Sequence, residues 1–276
     1  MDSALEITDF IPEKSGHTKP WVVSAYTPEW LKSFVVKLYT TEQVDHSNCV
    51  CNEVVCNILA SEFELEVPKC ALINIPNYIT MRLSPEQQQQ LDHTDQRPKF
   101  ATEYLSNVNT AIIGLPKVQY QKRIIMDMLY AFDNLIRNYG RGHPKTNLLL
   151  SSDVAYLIDH ELTLSDQYIV NVNLKTLQIE DRFTKYHLFY TYLKKAKFKT
   201  KQNYFNEFAE YLNHLNMSVL NPYFQTLTQE GFKSNSQEIY HWLNEEKQNI
   251  PTFVSLLKGV RQDSLKHKIS TYPITK

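Results

Sequence analysis

Residues 132–160 read FDNLIRNYGRGHPKTNLLLSSDVAYLIDH, and this stretch decides the fold. It begins inside a strong helical pattern, an apolar stripe with polar flanks over 118–138. Two glycines and a proline then interrupt the helix. Beyond them, the short apolar runs 148–150 and 154–158 flank a Ser-Ser-Asp turn, which is typical of a β-hairpin. The stretch therefore predicts a helix, a loop and a hairpin that ends at Asp159.

The region before this stretch mixes strand and helix patterns. Residues 21–25 and 34–39 are rich in β-branched and aromatic side chains, with a Thr-Pro-Glu turn region between them. Residues 52–63 repeat apolar side chains at helical spacing, and 71–75 read as a further strand after Pro68. The order strand, strand, helix, strand indicates a small β-rich lobe.

The segment 76–98 has a different character, because it contains three prolines, a run of glutamines and several charges. This composition predicts a linker or a surface insertion rather than core. After residue 181 the chain shows helical stripes of aromatic and aliphatic residues. We therefore expect an N-terminal lobe over 1–80, a linker or insertion over 81–98, and a helical C-terminal lobe over 99–276.

The bulk composition narrows the class of protein. The chain has 276 residues, 42% of them hydrophobic, and a formal net charge of −1. That length allows a core of ordinary size, and the balanced charge gives no indication of a nucleic-acid partner. No segment approaches the roughly 20 consecutive apolar residues that a membrane span needs. The acidic N-terminus lacks the pattern of a secretory signal, so we expect a soluble, cytoplasmic protein.

Four cysteines leave two interpretations open: Cys49, Cys51, Cys56 and Cys70. Three of them lie within eight residues, which is compatible with a zinc site. A second Cys/His pair at finger-like spacing is missing, which favours reduced, partly buried thiols in the cytosol.

Several residues that can carry chemistry follow one another along the chain. A turn-forming segment at 15–20 precedes the first strand, and Lys37 ends the second. Glu53 starts the next helix, while Asn147 and Asp159 lie in the loop and hairpin. Phosphoryl transfer needs such a set: a turn over the phosphates, a lysine to neutralise them, and a helix glutamate to hold the lysine. An asparagine and an aspartate then bind the Mg²⁺ that bridges the phosphates.

The sequence around these residues resembles the HipA-like kinase family, especially its short, stand-alone bacterial branch. The resemblance covers roughly residues 14 to 165. It rests on GHTKPWVV at 16–23, FVVK at 34–37, Asn52-Glu53 with 59–68, FDNLIRN at 132–138, NLL at 147–149 and YLIDH at 156–160. It implies an α+β, two-lobed protein-kinase-like fold, with a small β-rich N-terminal lobe and a mainly helical C-terminal lobe. It also implies that ATP and Mg²⁺ are the cofactors.

The same resemblance assigns a role to the turn before the first strand. Gly16, His17 and Thr18 would lie over the phosphates of ATP. Relatives can carry a regulatory phosphorylation site in this turn, which marks Ser15 or Thr18.

The resemblance also assigns roles to four residues that have ordinary interpretations as well. Lys37 would contact the phosphates and pair with Glu53, and Asn147 and Asp159 would bind Mg²⁺. Alternatively, Lys37 is a strand lysine with its ammonium in solvent, and Glu53 is a helix-start acid. The other two would then be turn residues.

The chain departs from the family at the catalytic loop. The family usually has Asn-x-Asp-Arg, whereas residues 138–141 read NYGR, so Gly140 occupies the position of the catalytic base. Asp133 does not obviously replace it, because seven residues at ~1.5 Å each place it about 10 Å away along a helix. Glu161 is a second departure, since relatives tend to have glycine there.

Two other residues of this loop are candidate catalytic residues. His143 could act as the base, although a solvated loop histidine is the alternative. Arg141 lies between two glycines and could bind a phosphate or a carboxylate, or be exposed.

A basic run near residue 200 also has two interpretations. It contains Lys194, Lys195, Lys197, Lys199 and Lys201, with aromatic residues nearby. Such a run could bind single-stranded nucleic acid by stacking and charge. A solvated helix end is the favoured interpretation, because basic residues suit a helix C-terminus.

These patterns together predict an ATP- and Mg²⁺-dependent kinase that acts on a hydroxyl of a protein or a small molecule. Because Gly140 removes the usual base, the alternative is a pseudokinase that binds a nucleotide or a partner. A third reading is a pure interaction module on an inherited fold. The resemblance also implies a toxin paired with an antitoxin protein, which is an analogy of fold and not of site.

Overall fold

The N-terminal part of the molecule is a β-barrel. The computed structural model describes residues 2–12, 20–27, 31–164, 172–195 and 204–259. Within these ranges the barrel strands are β1 (Asp2–Pro12), β2 (Trp21–Tyr26), β3 (Leu31–Val36), β4 (Cys70–Asn74) and β5 (Lys99–Glu103). They pair in the order β1, β2, β3, β5, β4, and β1 closes the barrel by running parallel to β4.

The interior of the barrel follows from the alternation of its strands. Trp21, Val23 and Ala25 of β2 are buried, because every second side chain of a strand points to the same face. Phe34 and Val36 of β3 lie in the same core cluster. The strands predicted over these stretches are therefore present, and β3 ends at Val36.

The expected linker belongs partly to this core, which differs from the sequence prediction. It contains two short helices, α3 (Asn77–Thr80) and α4 (Pro85–Asp92). Ile79, Leu83 and Leu91 are buried with the barrel strands, and the indole N–H of Trp21 donates to Gln90 at 3.2 Å. A few apolar side chains on one face are enough to anchor short helices. Because the rest of the segment is polar, its average composition does not reveal these buried side chains.

Strand β5 also moves the boundary between the lobes. It pairs antiparallel with both β3 and β4, so it belongs to the barrel. The N-terminal lobe therefore extends to Glu103, beyond the limit of 1–80 that the local pattern indicated. Pairing with strands earlier in the chain is a long-range property that local composition does not report.

Two helices connect β3 and β4: α1 (Thr41–His46) and α2 (Cys49–Glu62). Helix α1 begins with a capping box, in which Thr40 and Gln43 satisfy each other's backbone N–H groups. Helix α2 begins before the predicted range of 52–63, and its buried side chains belong to the main core of the C-terminal lobe. This helix therefore joins the packing of the two lobes.

The C-terminal lobe is mainly helical and includes one small sheet. Its described strands are β6 (Asn109–Thr110), β7 (Leu148–Leu150) and β8 (Ala155–Leu157). The antiparallel pairing of β7 with β8 confirms the predicted hairpin. A short 3-10 helix lies at Met217–Leu220. The α-helices are α5 (Lys117–Gln121), α6 (Met126–Leu135), α7 (Val172–Thr176), α8 (Asp181–Thr184), α9 (Tyr190–Lys195), α10 (Asn206–His214), α11 (Asn221–Gln229), α12 (Ser236–Gln248) and α13 (Ile250–Leu257).

The single helix predicted over 118–138 is in fact two helices, α5 and α6. The chain turns between them, where Arg123 donates to the carbonyl oxygen of Ser151 at 2.6 Å. Helix α6 ends at Leu135, shortly before Arg137 takes a positive φ of 56°. The apolar stripe continues across the break because both helices pack on the main core.

The two-lobed α+β architecture expected from the sequence is confirmed, with a β-rich N-terminal lobe and a mainly helical C-terminal lobe. Within the described ranges, no helix has both the length and the apolar composition to cross a membrane. The four cysteines are buried free thiols. In the basic run, Lys194 and Lys195 end α9, and the other three lysines lie outside the described residues.

Candidate functional site

Lys37 reaches the space between the lobes because of its place after β3. Its backbone N–H donates to Phe100 in β5 at 2.9 Å, which holds it beside the barrel. Since Phe34 and Val36 face the barrel core, the alternation of the strand turns Lys37 to the opposite side. Its ammonium therefore leaves the barrel and meets groups from α2 and the hairpin.

Glu53 is the main partner of this ammonium on α2. Its side chain is 3% exposed, and its Oε1 accepts from Lys37 and from the hydroxyl of Tyr39, the latter at 3.0 Å. Its Oε2 accepts from the backbone N–H of His160 at 3.0 Å. Because α2 begins at Cys49, Glu53 is the fifth residue of the helix and not, as predicted, part of its first turn.

Asp159 brings the hairpin to the same ammonium. Strand β8 ends at Leu157, and Asp159 follows with a φ of 67°. Its Oδ1 accepts from Lys37, so the ammonium is held between Glu53 and Asp159. The structure thus brings together three residues that the sequence placed far apart.

Glu161 adds a third carboxylate that the sequence marked only as a departure. Its Oε2 lies 3.6 Å from the Nζ of Lys37 and, although this oxygen is buried, it has no hydrogen-bond partner among the described residues. The backbone carbonyl of Glu161 accepts from Asn52 Nδ2 at 3.0 Å, which ties it to α2. We call Lys37, Glu53, Asp159 and Glu161 the Lys37 cluster.

Burial and charge shift the pKa values in this cluster. Burial opposes the charge of Lys37, but Glu53, Asp159 and Glu161 outweigh it and raise its pKa well above the ordinary value. Burial would also raise the pKa of Asp159, but the ammonium of Lys37 lowers it below the usual range. Burial raises the pKa of Glu53, against the opposing attraction of Lys37. Lys37 is therefore a permanent cation facing carboxylates.

A second cluster surrounds Asp133 in α6. Its carboxylate accepts from Arg141 Nε at 2.9 Å, from Asn138 Nδ2 at 2.9 Å and from His187 Nε2 at 3.0 Å. The side chains of Asp133 and Arg141 are both 0% exposed. Burial alone would raise the pKa of Asp133, but Arg141 and His187 outweigh it and lower it to about 2. We call Asp133, Asn138, Arg141 and His187 the Asp133 cluster.

Arg141 connects the Asp133 cluster to the loop and hairpin. Its NH1 donates to the carbonyl of Asn147 and, at 3.5 Å, to the carbonyl of Ile158. Its NH2 lies 3.3 Å from His160 Nε2. Burial, together with the charge of Arg141, lowers the pKa of His160 to about 3. Arg141 is thus neither exposed nor free to bind a substrate phosphate; of the predicted alternatives, the structure shows it bound to a carboxylate.

Gly140 and Asn147 lie side by side in the loop. A Cβ at Gly140 would lie 3.1 Å from Asn147 Nδ2 and 3.2 Å from Asn138 Oδ1. Asn147 has a φ of 45° and is half-buried. In the described part of the chain, its side-chain amide makes no hydrogen bond, which leaves it available to a ligand. His143 is exposed in the same loop.

The remaining predicted site residues cannot be placed. Ser15, Gly16, His17 and Thr18 lie outside the described residues. Tyr39 and His160, which contact Glu53 in the structure, were missed by the sequence analysis. Their adjacency to Lys37 and Asp159 was the one signal that could have marked them.

The donor set suits a hard divalent cation. One carboxylate oxygen from each of Glu53, Asp159 and Glu161 lies within 4.8 Å of the others. Mg²⁺ prefers carboxylate and amide oxygens, and here three carboxylates share one ammonium, while the Oε2 of Glu161 accepts no hydrogen bond from the described residues. The carboxylates present therefore fit a magnesium ion, with Asp159 and Glu161 as candidate ligands. Asn147 stays a ligand predicted from the resemblance.

Similarity to known proteins shows the family of this chain. A family model described as HipA-like kinase matches residues 11–250. Among solved structures, the chain is similar to the Helicobacter pylori proinflammatory kinase CtkA, at 12% identity and a TM-score of 0.49, over 98% of this chain and 100% of that one. It is also similar to the choline kinase LicA from Streptococcus pneumoniae, at 12% identity and a TM-score of 0.34, over 90% of this chain and 95% of that one. No curated protein sequence matches the chain.

Proposed function

The chain belongs to the HipA-like kinase family, and from that premise we propose that it binds ATP with Mg²⁺ and transfers phosphate to a hydroxyl. The acceptor would be a side chain of a protein or a small molecule. The observation that carries this proposal is the position of the Lys37 ammonium, held between Glu53 of one lobe and Asp159 of the other.

This arrangement supports nucleotide binding for an electrostatic reason. A lysine held by a helix glutamate presents its charge to the α- and β-phosphates of a nucleotide. Here Glu53 is fixed by Tyr39 and by the backbone of His160, so its contact with Lys37 is preorganised. Lys37 can then exchange its contact with Asp159 for one with phosphate while Glu53 still holds it.

Asp159, Asn147 and Glu161 would hold the metal ion. When bound, Mg²⁺ neutralises the charge of the phosphate oxygens and helps to orient them. Asp159 would exchange its contact with Lys37 for one with the cation, and Glu161, whose Oε2 lies 3.6 Å from the same ammonium, would contribute a second carboxylate. The turn of Gly16, His17 and Thr18 is proposed to cover the phosphates.

The site lacks the usual carboxylate that would remove the proton from the acceptor hydroxyl. Gly140 occupies the base position, and Asp133 is bound by three side chains with its pKa lowered to about 2. We propose His143, an exposed titratable side chain of the loop, as the group that takes the proton. A positioned general base contributes roughly 10²–10⁴-fold in rate, so transfer that relies on the exposed His143 in place of a carboxylate at position 140 is expected to be slow.

The same observation favours a second candidate function. A protein that keeps the Lys37 cluster, but has Gly140 in the loop and the carboxylate of Asp133 in α6 already bound within the Asp133 cluster, suits a pseudokinase, which binds a nucleotide or a partner protein without turnover. In either case, a cytoplasmic role with a phosphoacceptor or an antitoxin-like partner is an analogy from the family and not from the site.

A phosphate-transfer assay with labelled ATP and Mg²⁺ tests the proposal, with Asp159→Asn as the matched control. We expect slow transfer, to the protein itself or to an added acceptor, that the control lacks. Calorimetry with a non-hydrolysable ATP analogue separates the two candidates. Binding without transfer supports the pseudokinase, and absence of binding both with and without Mg²⁺ overturns the kinase and the nucleotide-binding form of the pseudokinase.

Restoring the missing carboxylate is a further test of the loop. Gly140→Asp places a carboxylate beside Asn147, at the cost of moving neighbours that would lie 3.1 and 3.2 Å from its Cβ. If the site is a kinase weakened at this position, transfer should rise about 10-fold or more. An unchanged rate in a folded variant that still binds the analogue would favour the pseudokinase.

A further inference from the structure

The donors of Arg141 are directed at the two segments that carry the candidate metal ligands. NH1 donates to the carbonyl of Asn147 itself and to that of Ile158, the residue before Asp159. Nε donates to Asp133 in the opposite direction, which anchors the guanidinium on α6. A rigid, planar group with a fully buried side chain thus joins three segments of the chain.

The backbone at both ligands needs such support. Asn147 and Asp159 have φ values of 45° and 67°, in the left-handed region. Asn and Asp tolerate this region better than most residues, but the conformation persists only where the surroundings define it. Arg141 donates to the carbonyls of Asn147 and Ile158, and these contacts hold the backbone conformation at Asn147 and next to Asp159.

His160 extends this connection to the Lys37 cluster. A guanidinium can only donate, so His160 Nε2 is the acceptor of Arg141 NH2 at 3.3 Å. The proton of the neutral ring is therefore on Nδ1, which lies 3.8 Å from Glu53 Oε2. The backbone N–H of His160 donates to the same oxygen at 3.0 Å. Glu53 is thus held from the hairpin side by one residue.

We propose that Arg141 and His160 are positioning residues, which together fix the metal ligands Asn147 and Asp159 relative to the Lys37–Glu53 pair. The contacts run from Asp133 through Arg141 and His160 to Glu53 and Lys37. Neither residue touches the nucleotide; they determine whether Mg²⁺ and the phosphates are bound in one geometry. The inference rests on the proposed function, because it concerns the coupling of metal and nucleotide in that site.

The coupling can be measured as the ratio of the Kd for an ATP analogue without Mg²⁺ to the Kd with Mg²⁺. His160→Phe keeps the bulk of the ring but removes the acceptor, and His160→Gln restores an acceptor at a similar reach. We expect the ratio to fall about 10-fold in the phenylalanine variant, as is usual when a group behind a metal ligand is lost. The glutamine variant should recover most of that loss.

A control for stability alone is available in the C-terminal core. Phe253→Leu alters a fully buried ring in α13, so it should lower the Tm and leave the ratio unchanged. Arg141→Lys keeps the charge but cannot span both carbonyls and His160, and it should lower the ratio about 10-fold even if His160→Phe fails to fold.

The possible outcomes distinguish a failure of the positioning role from a failure of the proposed function. One outcome is that the unmodified protein binds the analogue with Mg²⁺ while folded His160→Phe and Arg141→Lys variants show the same ratio of Kd values as the unmodified protein. In that case the positioning role is wrong and the proposed function stands. If the ratio of Kd values falls equally in His160→Phe and His160→Gln, the role of the His160 ring nitrogen as a hydrogen-bond acceptor is also overturned. If the unmodified protein binds no analogue under any condition, both the proposed function and this inference are overturned.

Discussion

The Asp133 cluster and the Lys37 cluster each combine opposite charges, and these charges are satisfied in different ways. In the Asp133 cluster one carboxylate meets a guanidinium, an amide and an imidazole, with Asp133 and Arg141 fully buried. In the Lys37 cluster one ammonium faces three carboxylates, and Asp159 and Glu161 are 28% and 22% exposed.

This difference separates scaffold from site. A buried pair with all its partners in place serves to hold segments together, since every donor is already used. A cluster with excess negative charge, partial exposure and an orphaned oxygen is poised for a cation from solution. The contrast predicts that substitutions in the Asp133 cluster will mainly lower stability, whereas substitutions in the Lys37 cluster will mainly change the binding of nucleotide and Mg²⁺.

Asp133→Asn should have the largest effect, and the effect should be on stability. It leaves the buried guanidinium of Arg141 without a counter-charge, which typically costs about 3–5 kcal/mol. Urea unfolding measures the loss. The matched control is Asp159→Asn, which should cost under about 1 kcal/mol because it also relieves repulsion among the carboxylates. Equal losses in the two variants would remove the distinction between the clusters.

Lys37→Met should weaken nucleotide binding, and it should also lower the stability of the fold, because the buried carboxylate of Glu53 loses its counter-charge. Loss of a charged donor to phosphate should weaken the binding of an ATP analogue about 10- to 100-fold. Calorimetry measures this, with Lys32→Met as control, because Lys32 lies on β3, the strand that leads to Lys37, and pairs with Glu103 at 2.6 Å, away from the cluster. Similar affinities for both variants would show that Lys37 does not contact the nucleotide.

Acid should weaken the Asp133 cluster in a narrow range of pH. The pKa of Asp133 is about 2 in the folded protein against an ordinary value of 3.8. The depressed pKa contributes stability that is fully present above about pH 4 and is lost as the pH falls toward 2, by about 2 kcal/mol in all. The stability advantage of the unmodified protein over Asp133→Asn should therefore shrink between pH 5 and pH 3 in urea titrations. An advantage that stays constant would contradict the assigned pKa.

Glu161→Gln should have the smallest effect, with opposite signs in two measurements. Removal of one carboxylate lowers the affinity for Mg²⁺, so the Mg²⁺ concentration for half-maximal analogue binding should rise up to about 5-fold. Without Mg²⁺ the analogue should bind slightly more tightly, because the phosphates meet less negative charge. Shifts of the same sign in both measurements would exclude Glu161 as a metal ligand.

Much of the local structure was predictable from the sequence. The alternation at 21–25, the helical stripe within 52–63 and the hairpin after residue 147 are present because each depends on neighbouring residues. The candidate residues Lys37, Glu53 and Asp159 were marked by their order along the chain. Their roles toward a nucleotide stay a prediction.

Other features were beyond local patterns. The break between α5 and α6 depends on Arg123, whose partner Ser151 lies 28 residues away. The burial of Leu91 against the barrel depends on strands that are distant in the sequence. The sequence leaves open whether Arg141 binds a phosphate or a carboxylate or is exposed, and only the structure places Asp133 and two carbonyls around it.

The sequence by itself determined the kinds of element, their order, and which side chains of the loop and hairpin could carry charge chemistry, because periodicity and turn residues act over a few neighbouring positions. Only the tertiary structure decided that Lys37 meets Asp159 across 122 residues, that Glu161 joins them, and that Arg141 belongs to the scaffold. Closure of the barrel and packing of α2 against the C-terminal lobe bring those groups within hydrogen-bonding distance, and burial then sets which charges are balanced and which still need a ligand.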